Sequence, residues 1–200
     1  MSFIFEYILA AFDYYSPGGT VMVLIIAVSL WMWALIFERL LFFRQMEKKD
    51  ISIKEALGVL KGESEISGIK GVCSSMMKGF LPDKTGDTKQ DKKVLDQHSV
   101  IQERRIKRSL QLITVLAAAA PMMGLLGTVT GMVSTFDVIS LFGTGNARAL
   151  SGGISAALIT TQSGLLVGIP GLFMGRLLKH RSEKLSRRLK KTVMALSRNL

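Results

Sequence analysis

The sequence is poor in the residues from which metal sites, disulfides and catalytic centres are built. Its one cysteine, Cys73, excludes an internal disulfide and a cysteine-based metal cluster, and its two histidines, His98 and His180, lack the spacing of a metal motif. No nucleophile and base fall together, so the sequence predicts neither an enzyme nor a bound cofactor or metal ion. Cys73 is expected to be a small buried hydrophobic residue.

Charged residues are missing from long stretches of a chain that is nevertheless strongly basic. Of its 200 residues 48% are hydrophobic, the mean hydropathy is +0.35 and the net charge is +11. A nucleic-acid-binding protein would account for the charge but not for the apolar runs, whereas a membrane protein accounts for both. We therefore predict an all-α integral membrane protein that contacts membrane lipids and has no nucleic-acid partner.

Three apolar stretches are each long enough to cross a bilayer, which takes about 20 helical residues. We predict an outer-face interfacial helix at residues 1–19, a first transmembrane helix at 20–43 and a cytoplasmic helical region at 44–108. A second transmembrane helix at 109–142, a periplasmic linker at 143–149, a third transmembrane helix at 150–178 and a basic helical tail at 179–200 follow. The second and third helices are expected to extend into the cytoplasm.

The distribution of lysine and arginine predicts the orientation of these spans. Residues 1–38 contain none and residues 140–150 contain one, whereas residues 39–108 contain 16 and the chain from Arg176 onward contains nine. Because basic residues collect on the cytoplasmic side, the N-terminus and the linker are expected on the outer side of the membrane, and the middle region and the C-terminus in the cytoplasm.

Local patterns predict where helices begin and what packs. Arg39 is expected where the first span leaves the hydrocarbon, with its side chain extended to the headgroups. Thr88 and Asp91 resemble a capping box, and no helix breaker follows before Pro121, so one helix is expected to run from the cytoplasm into the membrane. Apolar residues at helical spacing predict two packed stripes: Ile66, Ile69, Val72, Cys73, Met76, Met77 and Phe80, and in the tail Leu178, Leu185, Leu189, Val193 and Leu196.

The hairpin of the second and third spans is rich in hydroxyl groups and nearly free of charge. Between Arg108 and Arg176 the only ionisable residues are Asp137 and Arg148, both near the linker. Small and hydroxyl residues share one face of each helix: Pro121, Gly124, Thr128, Gly131 and Thr135, and Ala157, Thr161, Gly164, Gly168, Gly171 and Gly175. Such faces let helices pack closely in lipid. The polar run at 160–163 wraps around its helix and indicates an ion path or a partner surface.

A proton path usually needs a titratable group inside the membrane, and this hairpin supplies none at mid-depth. If the chain helps to move protons, the proton acceptor must therefore come from another polypeptide. The hydroxyl groups of Thr128 and Thr161 could bond that acceptor or orient water toward it.

Two motifs carry a resemblance to a known family. The first is Pro121-Met-Met-Gly-Leu-Leu-Gly-Thr128-Val-Thr-Gly131; the second is Ala156-Ala-Leu-Ile-Thr-Thr161-Gln-Ser-Gly164-Leu, followed by Gly168-Ile-Pro170. Together with the order of spans they resemble the ExbB/TolQ/MotA family of proton-channel subunits, in its ExbB and TolQ branch.

The resemblance implies a bacterial inner membrane, with the N-terminus in the periplasm and the C-terminus in the cytoplasm. It also implies a homopentameric ring around the transmembrane helices of a dimeric, single-span ExbD- or TolR-like partner, whose membrane aspartate is protonated and deprotonated. Ion flow would drive motion of the partner and energise a TonB-like or Tol–Pal-like machinery. The family's pore threonines map onto Thr128 and Thr161. Ala156 stands where the ExbB and TolQ pattern has a glutamate, so the ring lacks a titratable group of its own.

Further residues of the hairpin receive secondary roles. Other hydroxyl groups are expected to line the pore: Thr135, Thr160 and Ser163. Small residues and prolines are expected to serve as packing or hinge positions: Pro121, Gly124, Gly131, Gly164, Gly168 and Pro170.

Three alternatives stay open. A MotA-like flagellar stator would be expected to have four spans and a larger cytoplasmic region than this chain. Sodium could replace the proton, because hydroxyl and carbonyl oxygens coordinate Na⁺. A non-conducting membrane scaffold would use the threonine and glycine faces for packing alone.

Overall fold

The computed structural model describes residues 19–48, 52–60, 71–145 and 147–200. Within these ranges the chain forms helices and connecting turns and no β-strand. The helices are α1 (Gly19–Lys48), α2 (Ile53–Leu60), α3 (Val72–Phe80), α4 (Thr88–Lys107), α5 (Leu110–Phe142) and α6 (Ala147–Ser197), with a 3₁₀ turn at Leu81–Asp83. The predicted interfacial helix at 1–19, apart from Gly19, lies outside the described residues, as do Ile66 and Ile69 of the first predicted stripe.

Within the described residues, three helical stretches are long and apolar enough to cross a membrane, and each of them contains one of the three predicted spans. They are Gly19–Glu47, Thr88–Phe142 and Leu150–Ser197. Large apolar side chains on them point away from the protein, among them Leu166 at 68% exposure and Phe173 at 64%. Exposed apolar faces of this extent are typical of helices surrounded by lipid, so the predicted all-α, multi-span class is confirmed for the described residues.

The described residues divide into two compact units. Residues 19–36 and 112–175 form the first, which we call the span unit, and the described residues of 37–111 together with 176–200 form the second, the extension unit. In the span unit, residues at the start of α1 pack against α5 and α6: Val21, Met22 and Ile25 contact Met123, Ile159 and Val167.

The core of the extension unit is built from the two predicted stripes. Cys73, Met76, Met77 and Phe80 of α3 are fully buried, and the Sγ–H of Cys73 donates to Oγ1 of Thr192 at 3.5 Å. The tail residues of the second stripe are also buried: Leu178, Leu185, Leu189, Val193 and Leu196. Both packing predictions are confirmed where the structure describes the residues, and the tail continues α6 as a basic amphipathic helix.

The start of α4 differs in detail from the predicted capping box. The helix begins at Thr88, but its cap is Asp87, whose side chain accepts a hydrogen bond from the backbone N–H of Lys89 at 3.0 Å. Asp91 instead accepts from the preceding loop, from the N–H of Thr85 at 2.7 Å and its Oγ1 at 2.9 Å, and from the N–H of Gly86 at 3.2 Å. These bonds, the Thr85 N–H above all, lower the pKa of Asp91.

The predicted continuous helix from Thr88 into the membrane is wrong. Helix α4 ends at Lys107 and α5 begins at Leu110, with Ser109 between them at a φ of +62°. A positive φ is uncommon for a residue other than glycine, and neither Arg108 nor Ser109 is a sequence signal for a break.

The prediction for Arg39 is also wrong, and its actual contacts explain the break. Arg39 is 3% exposed; its Nη1 donates to the carbonyl oxygen of Arg105 at 3.2 Å and its Nη2 to Oγ of Ser109 at 3.5 Å. The last carbonyls of a helix lack partners in their own helix and carry its negative dipole end. A buried guanidinium at the end of α4 therefore stabilises the interruption that the chain itself does not signal.

Candidate functional site

Helices α5 and α6 pack backbone to backbone as an antiparallel pair. A Cβ atom added at Gly164 would lie 2.7 Å from the carbonyl oxygen of Ala120 and 3.0 Å from Cα of Gly124. One added at Gly131 would lie 2.8 Å from the carbonyl oxygen of Gly153. Both distances are shorter than real Cβ contacts, so only glycine permits this separation. The glycine faces therefore act as close-packing surfaces, which is how helices associate in lipid.

The two prolines of the hairpin differ in their surroundings. Pro121 is half-buried, and its ring fills the space beside Gly168, where a Cβ would lie 2.5 Å from the proline Cγ. Pro170 is exposed. Both stand inside unbroken helices, which membrane proteins tolerate because neighbouring groups can satisfy the freed carbonyls.

Three of the predicted site residues lie inside the helix pair in the single chain. Thr160, 1% exposed, donates to the carbonyl oxygens of Ala156 at 3.0 Å and Ala157 at 2.9 Å and lies directly over Gly127, where no side chain would fit. Thr135, 6% exposed, donates to the carbonyl of its own helix one turn before it, and Ser163 is 9% exposed. The pore-lining role of these three residues stays a prediction.

Thr161 differs from its neighbour Thr160 because its hydroxyl group joins the two helices. Its Oγ1 donates to the carbonyl oxygen of Gly124 on α5 at 3.1 Å and lies 3.3 Å from that of Ala157 on its own helix. The side chain is half-buried, so part of it stays open to a further contact.

Thr128 lies one helical turn beyond Gly124 on α5 and is also half-buried. Its Oγ1 donates to the carbonyl oxygen of Leu125 at 2.6 Å. Since Thr161 bonds Gly124 itself, the two threonines fall within about 6 Å of each other along the helix axis. The structure thus brings the two principal predicted residues to one level of the hairpin.

A cleft of about 520 Å³ opens in the span unit beside the start of α1. Hydroxyl groups of Thr20, Thr130 and Ser134 line it together with glycine backbone, and Ala156 forms part of its wall. None of the described residues that line this cleft carries a carboxylate. Its oxygens can hold water or coordinate a cation but cannot store a proton at neutral pH.

Sequence reasoning missed two glycines of this site, Gly127 and Gly153. Each sits under a threonine of the facing helix, Gly127 under Thr160 and Gly153 under Thr135. Residue size was the signal that could have identified them. Where a glycine stands next to a β-branched residue, the smaller glycine is the residue that lets a neighbouring helix approach closely.

Charged groups are peripheral to the hairpin. Asp137 and Arg148 are both exposed near its connecting turn. Among the described residues, no group of three or more histidine, cysteine, aspartate or glutamate side chains could hold a metal ion.

Comparison with known proteins places these motifs in a family. The model of the MotA/TolQ/ExbB proton channel family matches residues 66–191. The chain is 28% identical over 177 residues to the ExbB-like 3 biopolymer transport protein of Synechocystis, covering 81% of each chain. It is 42% identical over 77 residues to the ExbB-like 1 protein of the same organism, and 38% identical over 72 residues to the biopolymer transport protein ExbB of Aquifex aeolicus.

These alignments differ in extent. The shorter two cover 37% and 36% of this chain, and the chain spans 30% and 49% of the length of those relatives. The family match covers more than half of the chain and includes α3, α4, α5 and most of α6, and therefore the whole glycine-packed hairpin. Together with the three helices of the described ranges that are long and apolar enough to cross a membrane, and with relatives named ExbB, it shows a multi-pass membrane protein that belongs to the MotA/TolQ/ExbB proton channel family, on its ExbB side.

Proposed function

We propose that this chain is an ExbB-like subunit of a bacterial inner-membrane channel and motor. It uses the proton motive force, together with an ExbD-like partner, to energise TonB-dependent transport across the outer membrane. The observation that carries the proposal is the pair of half-buried hydroxyl groups, Thr128 and Thr161, at one level of a hairpin without a mid-depth ionisable side chain.

The proposed assembly is a homopentamer with a periplasmic N-terminus and a cytoplasmic C-terminus. Its lumen holds the transmembrane helices of a dimeric ExbD- or TolR-like protein that brings the membrane aspartate, and a TonB-like protein receives the work. Exposed apolar residues on α5 and α6 provide surface for lipid, for neighbouring subunits and for such a guest helix. Because Ala156 carries no carboxylate, the membrane aspartate of the ExbD- or TolR-like partner is the group that titrates along the ion path.

The hydrogen bonds of the two threonines indicate which state of that acid they favour. Thr161 donates to the carbonyl of Gly124 and Thr128 to that of Leu125, and a carbonyl oxygen can only accept. With their protons committed, both hydroxyl groups present lone pairs to an approaching group. A protonated carboxyl has an O–H to donate and is complementary to them, whereas a carboxylate is not. Thr128 and Thr161 would therefore stabilise the protonated form of the partner's membrane aspartate.

Sodium coupling is the second candidate, because the same lone pairs and the hydroxyl-lined cleft could coordinate Na⁺. A TolQ-like role differs only in the machinery that receives the work, and a MotA-like stator has less support in a chain with three candidate spans. The buried Thr135, Thr160 and Ser163 are assigned a secondary place along the path. Packing is assigned to the close-contact residues Pro121, Gly124, Gly131, Gly164 and Gly168, and a hinge to Pro170.

Exchanging one threonine at a time for valine distinguishes the hypothesis of a non-conducting scaffold from that of a channel. Thr161→Val keeps the shape and removes the hydroxyl group. Thr160→Val is the matched control, because Thr160 is the adjacent residue, has the same shape and bonds only its own helix. The subunit is reconstituted with its single-span partner in proteoliposomes, and ion flux is followed with a pH-sensitive dye and, in parallel, a sodium-sensitive dye.

We expect Thr161→Val to assemble as the wild type does but to lose about tenfold of its flux, because the lost hydrogen bond to the protonated partner is worth about 1 kcal/mol or slightly more. Thr161→Ser should restore most of it. Thr160→Val alters a secondary position of the path whose hydroxyl group bonds its own helix, so it should lose clearly less flux than Thr161→Val. Unaltered flux in assembled Thr161→Val would refute the channel role of this residue and favour the scaffold.

A further inference from the structure

Beside the core of the extension unit lies a cleft of about 410 Å³ whose wall is mostly cationic. Helix α6 contributes Lys184, Leu185, Arg187, Arg188 and Lys191, and the end of α1 contributes Glu47. The cationic residues follow one another at i, i+3, i+4 and i+7, which places them on one face of the helix. Leu185, 5% exposed, gives the cleft an apolar floor.

Three of the four cations in this cleft lack a compensating partner within the described ranges. Lys184, Arg187 and Lys191 form no ion pair there, and Glu47 is the one acid among the described residues of the wall. Lys190, on a different face of the same helix, reaches Glu103 at 3.3 Å. Like charges at these spacings repel one another, so the arrangement lowers the stability of α6 unless an anion enters.

The cleft begins within reach of a lipid surface. Lys184 follows Arg176, the first charged residue after the third span, by eight residues, which is about 12 Å along the helix axis. The headgroup region adds roughly 5–8 Å to each side of the hydrocarbon, and a lysine side chain can extend back toward it. Basic pockets between helices at this position are suited to anionic headgroups.

We propose that this cleft binds a phosphate ester anion, either the headgroup of an acidic phospholipid or a soluble phosphate compound. Arg187 supplies a planar, two-pronged donor that matches two phosphate oxygens, and Lys184 and Lys191 supply point charges on either side of it. The ligand neutralises the repulsion along α6 and holds α6 against the end of α1. This site is independent of the ion path in the span unit, and its test does not require ion flux.

The test compares the full-length protein with a triple variant, Lys184→Gln with Arg187→Gln and Lys191→Gln. The matched control is Lys89→Gln with Lys92→Gln and Lys93→Gln, which removes the same charge from three exposed residues of α4. One arm measures, by native mass spectrometry, how much phosphatidylglycerol each protein retains from nanodiscs of phosphatidylcholine and phosphatidylglycerol. The other arm titrates inorganic pyrophosphate into protein in neutral detergent by calorimetry.

We expect the triple variant to bind roughly 100-fold more weakly in one of the two arms, since each of the three cations strengthens the binding of an anionic headgroup by about fivefold. The control should match the wild type. An effect in the lipid arm alone assigns the headgroup, and an effect in the pyrophosphate arm alone assigns a soluble ligand. Equal binding by all three proteins in both arms overturns the proposal, as does a change in subunit number without a change in binding.

A second variant keeps the proposal testable if the triple variant does not fold. Glu47→Gln removes the acid that competes with a bound anion, so it should strengthen binding about fivefold in the arm that responds. Weaker or unchanged anion binding by folded Glu47→Gln would contradict an anion site in this cleft.

Discussion

Arg39 offers the most direct test of how the extension unit is held together. Its guanidinium is buried at 3% exposure and donates to the carbonyl of Arg105 at 3.2 Å and to Oγ of Ser109 at 3.5 Å. Replacing it by methionine keeps the length of the side chain and removes both donors. A hydrogen bond from a charged donor contributes about 1.5–3 kcal/mol, and the longer bond to Ser109 adds little. Its buried Nε has no partner among the described residues, so losing that group offsets part of the cost.

We therefore expect Arg39→Met to lower the free energy of unfolding by about 1–2 kcal/mol. For a chain of this size that is a fall in melting temperature of about 2–8 °C, measured by circular dichroism in detergent. Amide hydrogen exchange should rise locally in the turn between α4 and α5. Arg44→Met is the control, because Arg44 is an exposed cation on the same helix. If both variants melt alike and exchange at the turn is unchanged, Arg39 does not stabilise the interruption.

Two further predictions concern the hairpin and the α4 loop. Gly164→Ala places a methyl group 2.7 Å from the carbonyl oxygen of Ala120, so it should lower the free energy of unfolding by about 1–3 kcal/mol and with it the melting temperature. Gly152→Ala is the control: its methyl group points into open space, so this exchange should be neutral or stabilising. Asp91→Asn should lower the melting temperature at pH 7. Because hydrogen bonds from Thr85 lower the pKa of Asp91 in the folded state, its stabilisation is complete above about pH 4 and is lost as the pH falls through that lowered pKa. The gap between wild type and variant should therefore narrow toward pH 3, and a constant gap would refute the assignment.

Much of the fold follows from local pattern because the signals are long. An apolar stretch of 20 or more residues identifies a span whatever surrounds it, and a stripe at helical spacing such as Met76, Met77 and Phe80 must pack against something. The structure adds what they pack against. Cys73 meets Thr192, which is 119 residues away in sequence, and no single-sequence pattern pairs two such positions.

The break between α4 and α5 shows why the remaining features could not be predicted. Helix ends are usually signalled by glycine or proline nearby, but Ser109 takes its positive φ because a side chain from another helix bonds the turn. The cause, Arg39, lies 70 residues before it. Read locally, an arginine at the end of an apolar run is most simply assigned to the lipid headgroups. Only the packing of α1 beside the turn distinguishes a headgroup contact from a helix cap.

On α5, the predicted contact face of the hairpin differs from the observed one by a single position, because Gly127 takes the place expected for Thr128. This difference affects the surroundings of each threonine. Helical spacing alone put Thr128 on the contact face, but it is Gly127 that lies in close contact with the facing helix, under Thr160. Backbones that approach this closely leave room for a hydrogen atom and not for a β-branched side chain, so α5 is rotated to bring its glycine to the contact. That rotation moves Thr128 to the edge of the interface, and on the facing helix it buries Thr160 and leaves Thr161 at the edge. The small residues thus determine which hydroxyl groups are enclosed between the helices and which remain half-buried at the edge of the interface.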